Sequence, residues 1–396
     1  MGSEMCIRDR NGAGKSNFLA VLRFLKDSLT PPRGHNTTSF MYAVSAERLG
    51  WTRALDIAIK KPSPIKFQYS FEDERLGGHN VLDISLWISG YNVLLNEEVL
   101  TNQRPDHPNF EFYESNGGGN EIIHTFLEGN SIRNGLLGGL GRRDELLLFN
   151  IDNLLEHSSS APENIPLFTV RREILETIET WHFYNANHMD LGEIRRSEPR
   201  ISRQDRYLNE DGTNLAVVFH NLRNDDRYFE QQFSEAMKMI LPKTDMIRHY
   251  PVGSQSLSIE WSFEGVDEAL ILSDLSDGTV RMLCWAVVLL SPKLPALLVI
   301  EEPEVGLHPA WMKVLATWIK RAAEHTQIII TTHSPDLLDQ FTDRIEDVAV
   351  FEPVPGDDFH YTINRLDKEA LSQWFERDWE LGDMYRMGHP LVGGWP

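Results

Sequence analysis

The chain is nearly without cysteine: only Cys6 and Cys284 occur in 396 residues. The two lie far apart and Cys284 sits in an apolar, helix-like run, so neither a disulfide framework nor a cysteine metal cluster is expected, and a reducing cytoplasm fits. No apolar run approaches the about 20 residues needed to span a bilayer, and the first residues lack the apolar core of a secretory signal, so a soluble protein without a membrane partner is expected. Positive charge is scarce as well. Against 59 Asp and Glu there are 38 Lys and Arg, a formal net charge of −21. Such a chain repels polyanions over most of its surface, which leaves nucleic acid only a local basic patch and a steep salt dependence. Internal repeats, low-complexity tracts and heptads are absent too, which argues against a long coiled coil.

What is present is concentrated at strand ends. Leu297-Leu298-Val299-Ile300 runs straight into Glu301-Glu302, and Pro303 then stops the extended segment. That pattern predicts a strand buried on both faces with its acids at the carboxyl end, where open α/β sheets bind ligands. Adjacent carboxylates there are costly unless a cation or a water to be activated occupies the site. A second short apolar strand, Gln327 to Thr331, delivers His333, after which Ser334 can cap a helix that Pro335 begins.

Near the amino terminus Asn11-Gly12-Ala13-Gly14-Lys15-Ser16-Asn17 opens a helix whose apolar stripe is Phe18, Leu22, Leu25 and Leu29. Small residues let backbone amides approach a phosphate, a helix start carries partial positive charge, a lysine reaches outer phosphates and a hydroxyl can ligate magnesium. The full pattern wants glycine where Asp9 stands, and a carboxylate there adds repulsion, so nucleotide binding is expected to be impaired. Only Met5, Cys6 and Ile7 are apolar before the loop, too few to mark the strand it needs, and the first ten residues read as a truncated or misassembled gene start. Ser276, in Leu275-Ser276-Asp277-Gly278-Thr279, can cap the next helix, while Gly278 leaves the amides of a second anion-binding helix end uncovered.

The rest of the chain is organised around these segments. Alternating runs such as Ile65 to Phe71 and Val81 to Ile88, with the turn at residues 116–120, predict an antiparallel, hairpin-rich sheet. Residues from about 146 to 242 are mixed and mostly helical. They carry the one dense basic stretch, Arg195, Arg196, Arg200, Arg203 and Arg206, read as a carboxylate-paired wet face or a contact for DNA or a partner protein. Three stretches are expected: 1–145 with the phosphate loop and antiparallel sheet, 146–250 as a mainly helical insertion, and 251–396 with the acidic and histidine strands.

The order of these motifs, with Glu301-Glu302-Pro303-Glu304 followed by Gly306-Leu307-His308-Pro309, resembles the ABC-type ATPase heads of the RecF/SMC-like branch, and more narrowly AAA-family ATPases grouped with RecF-like proteins. The resemblance implies an α/β P-loop NTPase head with a mostly parallel core sheet, an antiparallel β subdomain and a helical insertion, binding ATP with Mg2+. Residue by residue it implies that Asn11 to Asn17 hold the nucleotide, with Lys15 the phosphate lysine. Ser16 and Glu301 become magnesium ligands, Glu302 the general base and His333 the γ-phosphate sensor. Ser276, Asp277 and Gly278 take the signature position, which reaches across a homodimer to the partner's nucleotide. Asp277 and Thr279 depart from the usual signature, and no Q-loop glutamine is assignable, Gln68 being a weak candidate that reads better as a strand residue. The implied activity is ATP hydrolysis coupled to head dimerisation, in DNA repair or in defence of the genome against phage. A non-hydrolysing scaffold, a P-loop phosphotransferase and a transporter ATPase are the rivals.

Overall fold

The computed structural model describes residues 4–8, 15–30, 38–46, 64–73, 78–89, 92–104, 107–116, 120–127, 131–138, 143–156, 166–354 and 357–393. Contacts divide the chain into two units, one of residues 1–15 with 181–396 and one of residues 16–180.

The first unit is built on a six-stranded sheet in the order Asp357–Arg365, Val348–Val354, Glu4–Arg8, Gln327–Thr331, Leu297–Glu301, His182–Asn185. Every pairing is parallel except that of the outermost strand, Asp357–Arg365, which runs antiparallel to its neighbour. A strand does form at Glu4–Arg8, contrary to the expectation from its three apolar residues. It lies between two partners, pairing Glu4 to Ile7 with Ile328 to Thr331 and Cys6 to Arg8 with Val348 to Val350. Backbone pairing on both edges therefore supplies what the side-chain pattern does not advertise.

The neighbouring strands Leu297–Glu301 and Gln327–Thr331 are apolar because the side chains on both their faces are buried. Leu298, Ile300, Ile328 and Ile330 join one continuous core with Trp285 and Phe219. The helices Leu215–Asp225, Phe229–Ile240, Asp277–Leu289 and Met312–Ala323 contribute their apolar faces to this core. A three-stranded antiparallel sheet, Leu270–Ile271, Ser256–Phe263 and Thr244–Val252, adds Trp261, fully buried, whose indole N–H donates to Thr244 Oγ1 at 3.1 Å. Cys284 is buried in the same core, which pushes its thiol up to about 12.

The second unit carries a six-stranded antiparallel meander, Ile65–Asp73, Gly78–Ser89, Asn92–Arg104, His107–Ser115, Asn120–Leu127 and Ser131–Gly138, each strand beside the next. It extends one strand past the alternating signal, which fades after Thr125. Gln68 lies on its first strand and donates to Asp83 at 2.8 Å, the strand role expected for it. Phe24, on the helix Lys15–Leu29, packs 5.8 Å from both Phe40 and Phe67. Glu98 is fully buried and accepts from Tyr113 Oη (2.6 Å), Leu147 N (2.6 Å) and Leu148 N (2.9 Å), so it satisfies two amides at the start of the helix Leu147–Glu156. Arg171, on the helix Pro166–Glu179, donates to the carbonyls of Leu148 and Phe149. Among the described residues no helix is long and apolar enough to cross a membrane.

Candidate nucleotide site

Strand register decides which side chains meet. Glu301 pairs with Thr331 on one side and with Asn185 on the other, and Ile7 pairs with Thr331. Parallel strands therefore end in one row, and each continues into a turn on the same edge of the sheet. Those turns carry Asn187, Glu302 with Glu304, and His333. After Arg8 the expected phosphate-loop residues Asn11, Gly12, Ala13 and Gly14, and Asp9 before them, lie outside the described residues. Lys15 opens the helix Lys15–Leu29, and Ser16 and Asn17 follow as its exposed second and third residues.

Lys15 Nζ lies 2.6 Å from His333 Nε2. An ammonium has only protons to give, so His333 Nε2 is the acceptor and the ring proton sits on Nδ1. His333 Nε2 is in turn 3.8 Å from Glu302 Oε1, and Glu302 Oε2 accepts from Asn187 Nδ2 at 2.9 Å. Cation, imidazole, carboxylate and carboxamide thus form one chain of contacts, drawn from one helix start and three turns of one sheet edge. Glu302 departs from the strand with φ +48°, a left-handed backbone rare for a side chain of this size, which costs about 1–3 kcal/mol and persists only where the surroundings impose it. Its amide donates to Thr331 O (2.8 Å) and its carbonyl accepts from Val305 N (3.1 Å), which closes the turn.

Glu301, half-buried at the strand end, has the hard oxygen donors that magnesium takes, and one or two carboxylates beside phosphate oxygens and water suffice for that ion. No cluster of three or more His, Cys, Asp or Glu that could hold a metal by themselves occurs among the described residues. A single carboxylate at a strand end is a donor of the kind that would hold magnesium jointly with a polyphosphate.

The signature segment is packed against the same turn. Ser276 caps the helix Asp277–Leu289, its hydroxyl accepting from Thr279 N at 3.3 Å. Gly278, however, is buried rather than open: a Cβ there would meet Gly306 O at 2.9 Å and the Trp311 ring at 3.2 Å. Its missing side chain admits the Gly306 carbonyl, a different reason from the uncovered amides expected of it. Further along this helix Trp285 Nε1 donates to Pro303 O (3.1 Å), and Arg281 donates to the Ala186 carbonyl.

The arginine stretch resolves into pairs. Arg195 bridges Asp277 (2.7 Å) and the Leu275 carbonyl (2.9 Å), Arg196 meets Glu193 (2.5 Å) and Arg203 meets Asp205 (2.7 Å). Three of the five guanidiniums are thus engaged with carboxylates, the first of them on the signature segment itself.

Two residues that take part in this geometry went unread in the sequence. Asn187 belongs to a turn after a four-residue strand with no acidic signal. Glu304 is the third acid of an acidic run, yet its Oε1 accepts from Thr332 Oγ1 (2.6 Å), His333 N (2.8 Å) and Ser334 N (3.1 Å). Burial raises its carboxyl above the usual range, and hydrogen bonds from Thr332 and the backbone offset that in part.

Residues 80–339, roughly two thirds of the chain, match the profile of the family described as "AAA domain, putative AbiEii toxin, Type IV TA system". Among curated proteins the chain is similar to two ABC transporters of Arabidopsis thaliana. Identity to A family member 5 is 41% over 70 residues, covering 18% of this chain and 7% of the transporter. Identity to A family member 4 is 38% over 88 residues, covering 22% and 9%. The chain therefore spans less than a tenth of the length of these relatives. Among solved structures it is similar to an Smc head bound to the C-terminal winged-helix domain of ScpA, with a TM-score of 0.46 and 14% identity over 93% of this chain and 92% of that one. It is also similar to an Smc head with an extended coiled coil bound to the C-terminal domain of ScpA from Pyrococcus furiosus, with a TM-score of 0.41 and 14% identity over 95% and 93%. Both scores lie below 0.5, too low to define a shared fold. By the profile match the chain belongs to this AAA-domain family.

Proposed function

We propose that this chain binds MgATP at the sheet edge that carries Lys15, Glu301, Glu302 and His333, and hydrolyses it. One observation carries the reading: Lys15, His333 and Glu302 form a single run of contacts, at 2.6 Å and 3.8 Å. A γ-phosphate taken into that run accepts from Lys15 and from a protonated or Nε2–H imidazole, while Glu302 orients the attacking water and receives its proton. Asn187 holds the Glu302 carboxylate by its other oxygen. Glu301 and Ser16 are proposed as magnesium ligands, and Asn11, Gly12, Ala13, Gly14 and Asn17 as further nucleotide contacts, on the resemblance. Magnesium held there would supply charge neutralisation for the polyphosphate.

The signature segment extends the proposal to an ATP-dependent homodimer. Ser276 and Asp277 are exposed at a capped helix start, a surface able to face a second copy's nucleotide, and Gly278 fastens that start to the acidic turn. Loss of the γ-phosphate would then release the partner, an order-dependent switch of the kind nucleotide hydrolysis drives. A place in DNA repair or phage defence follows from the resemblance alone, with Arg200 and Arg206 beside the three paired arginines as the contact for DNA.

Magnesium-dependent phosphate release, measured for the parent, Lys15→Ala and Glu302→Gln, tests the core of this reading. Release by the parent and loss in both variants support it; phosphate transferred to an added metabolite instead of water would make the chain a phosphotransferase, and an inert parent that still binds ATP would make it a scaffold. Light scattering with ATP on Glu302→Gln reads the dimer, and activity with and without single- or double-stranded DNA reads that partner.

A further inference from the structure

We infer that Glu304 is a positioning residue for His333, a buckle that fastens the turn after the acidic strand to the turn after the histidine strand. The inference rests on the catalytic reading above for its consequence, and on geometry alone for its existence. One oxygen, Oε1, takes the Thr332 hydroxyl and the amides of His333 and Ser334, three donors on three consecutive residues. Ser334 N also donates to Thr332 Oγ1 at 3.0 Å, and Ser334 Oγ caps the helix that follows. The backbone on both sides of the imidazole is thereby set by one carboxyl.

Glu304 comes from the turn that Glu302 opens, so its grip makes the two turns one body. The Glu302 base and the His333 imidazole then keep their 3.8 Å separation without a direct bond strong enough to hold it. The second oxygen, Oε2, is buried and has no hydrogen-bond partner among the described residues. With Oε1 committed to three donors of its own chain and Oε2 enclosed, Glu304 is not placed to ligate magnesium or to touch phosphate. It acts through His333, as outer partners of ligating side chains do elsewhere.

An acceptor oxygen is what the three donors require, and the charge is secondary. Glu304→Gln keeps such an oxygen, whereas Glu304→Ala leaves a hydroxyl and two amides without one. In Glu304→Ala, kcat for ATP should fall about 10- to 100-fold with little change in KM, and Glu304→Gln should recover most of that loss. Independently of turnover, 15N NMR of the histidine side chains reads the His333 ring: its Nδ1–H form, set by the Lys15 contact, should persist in Glu304→Gln and average out in Glu304→Ala. Should Glu304→Ala fold poorly, Thr332→Val removes one donor hydroxyl and should give a smaller change of the same kind. Unaltered His333 resonances in Glu304→Ala, or a Gln variant as impaired as the Ala variant, would overturn the inference. A parent that hydrolyses no ATP defeats the catalytic reading instead, and the imidazole signature still decides the role of Glu304.

Discussion

Lys15 Nζ and His333 Nε2 stand 2.6 Å apart although 318 positions separate them in the chain. Parallel strands bring them together: Glu4–Arg8 delivers Lys15 and its neighbour Gln327–Thr331 delivers His333. With the lysine as donor, the contact engages the Nε2 lone pair of His333. Both groups can give up this bond for a phosphate oxygen, so the two belong to one recognition event and differ in what they contribute to it.

Removing the lysine should abolish tight nucleotide binding. Lys15→Ala is expected to weaken ATP about 100-fold, ~2.7 kcal/mol, within the range for charge-assisted bonds to an anion. His333→Ala should alter affinity far less and lower kcat about 10- to 100-fold, since a group that senses the γ-phosphate counts mainly in the transition state. Titration with a fluorescent ATP analogue separates the two effects; equal losses of affinity in both variants would contradict the division of roles.

The base assignment leads to a sharper difference. Glu302→Gln should retain ATP and lose about 10²- to 10⁴-fold in turnover, the usual worth of a positioned general base. Asn187→Ala, which frees one oxygen of that carboxylate without removing it, should cost about 10-fold. Parental turnover in Glu302→Gln would move the base elsewhere.

How much of this could be read in advance follows from where each signal lies. Leu297 to Glu302 and Gln327 to His333 announce themselves because a strand buried on both faces is a continuous branched run and its functional residue comes next in sequence. Asn187 does not, because its strand is four residues long and its partner Glu302 lies 115 positions away. Glu304 is hidden in plain view: beside two other acids it looks like a surface turn, and only the turn's left-handed start at Glu302 and the fold of the histidine loop bring it under three donors. The arginines were half legible. Arg196 and Arg203 find carboxylates three and two positions away, but Arg195 finds Asp277 at a separation of 82.

Gly278 offers a test of the packing beneath the signature segment. A methyl group there would press on the Gly306 carbonyl at 2.9 Å, a backbone atom that cannot swing aside, and on the Trp311 ring. Gly278→Ala should therefore destabilise the fold by about 1–3 kcal/mol, the usual range for overpacking. Thermal unfolding should shift down by about 2–4 °C per kcal/mol for a unit of this size. An unchanged midpoint would show that the helix start and the acidic turn are not in firm contact.

Glu98 tests the second unit through pH. Burial raises its carboxyl above the ordinary value of about 4.3, against the lowering pull of Tyr113 Oη and the amides of Leu147 and Leu148. Between the ordinary value and the raised one, the folded chain holds a proton that the unfolded chain has released. Stability contributed by this group is therefore complete below pH ~4.3 and is lost as pH rises through the folded value. Glu98→Gln carries no titrating group and should remove that decline, even though its amide nitrogen cannot accept from Leu147 N and the variant starts from a lower stability. Midpoints of thermal unfolding for parent and variant, compared from pH 4 to pH 8, should converge as pH rises, because only the parent loses the contribution. Parallel curves would mean that the buried carboxyl is ionised throughout, held charged by the three donors that surround it.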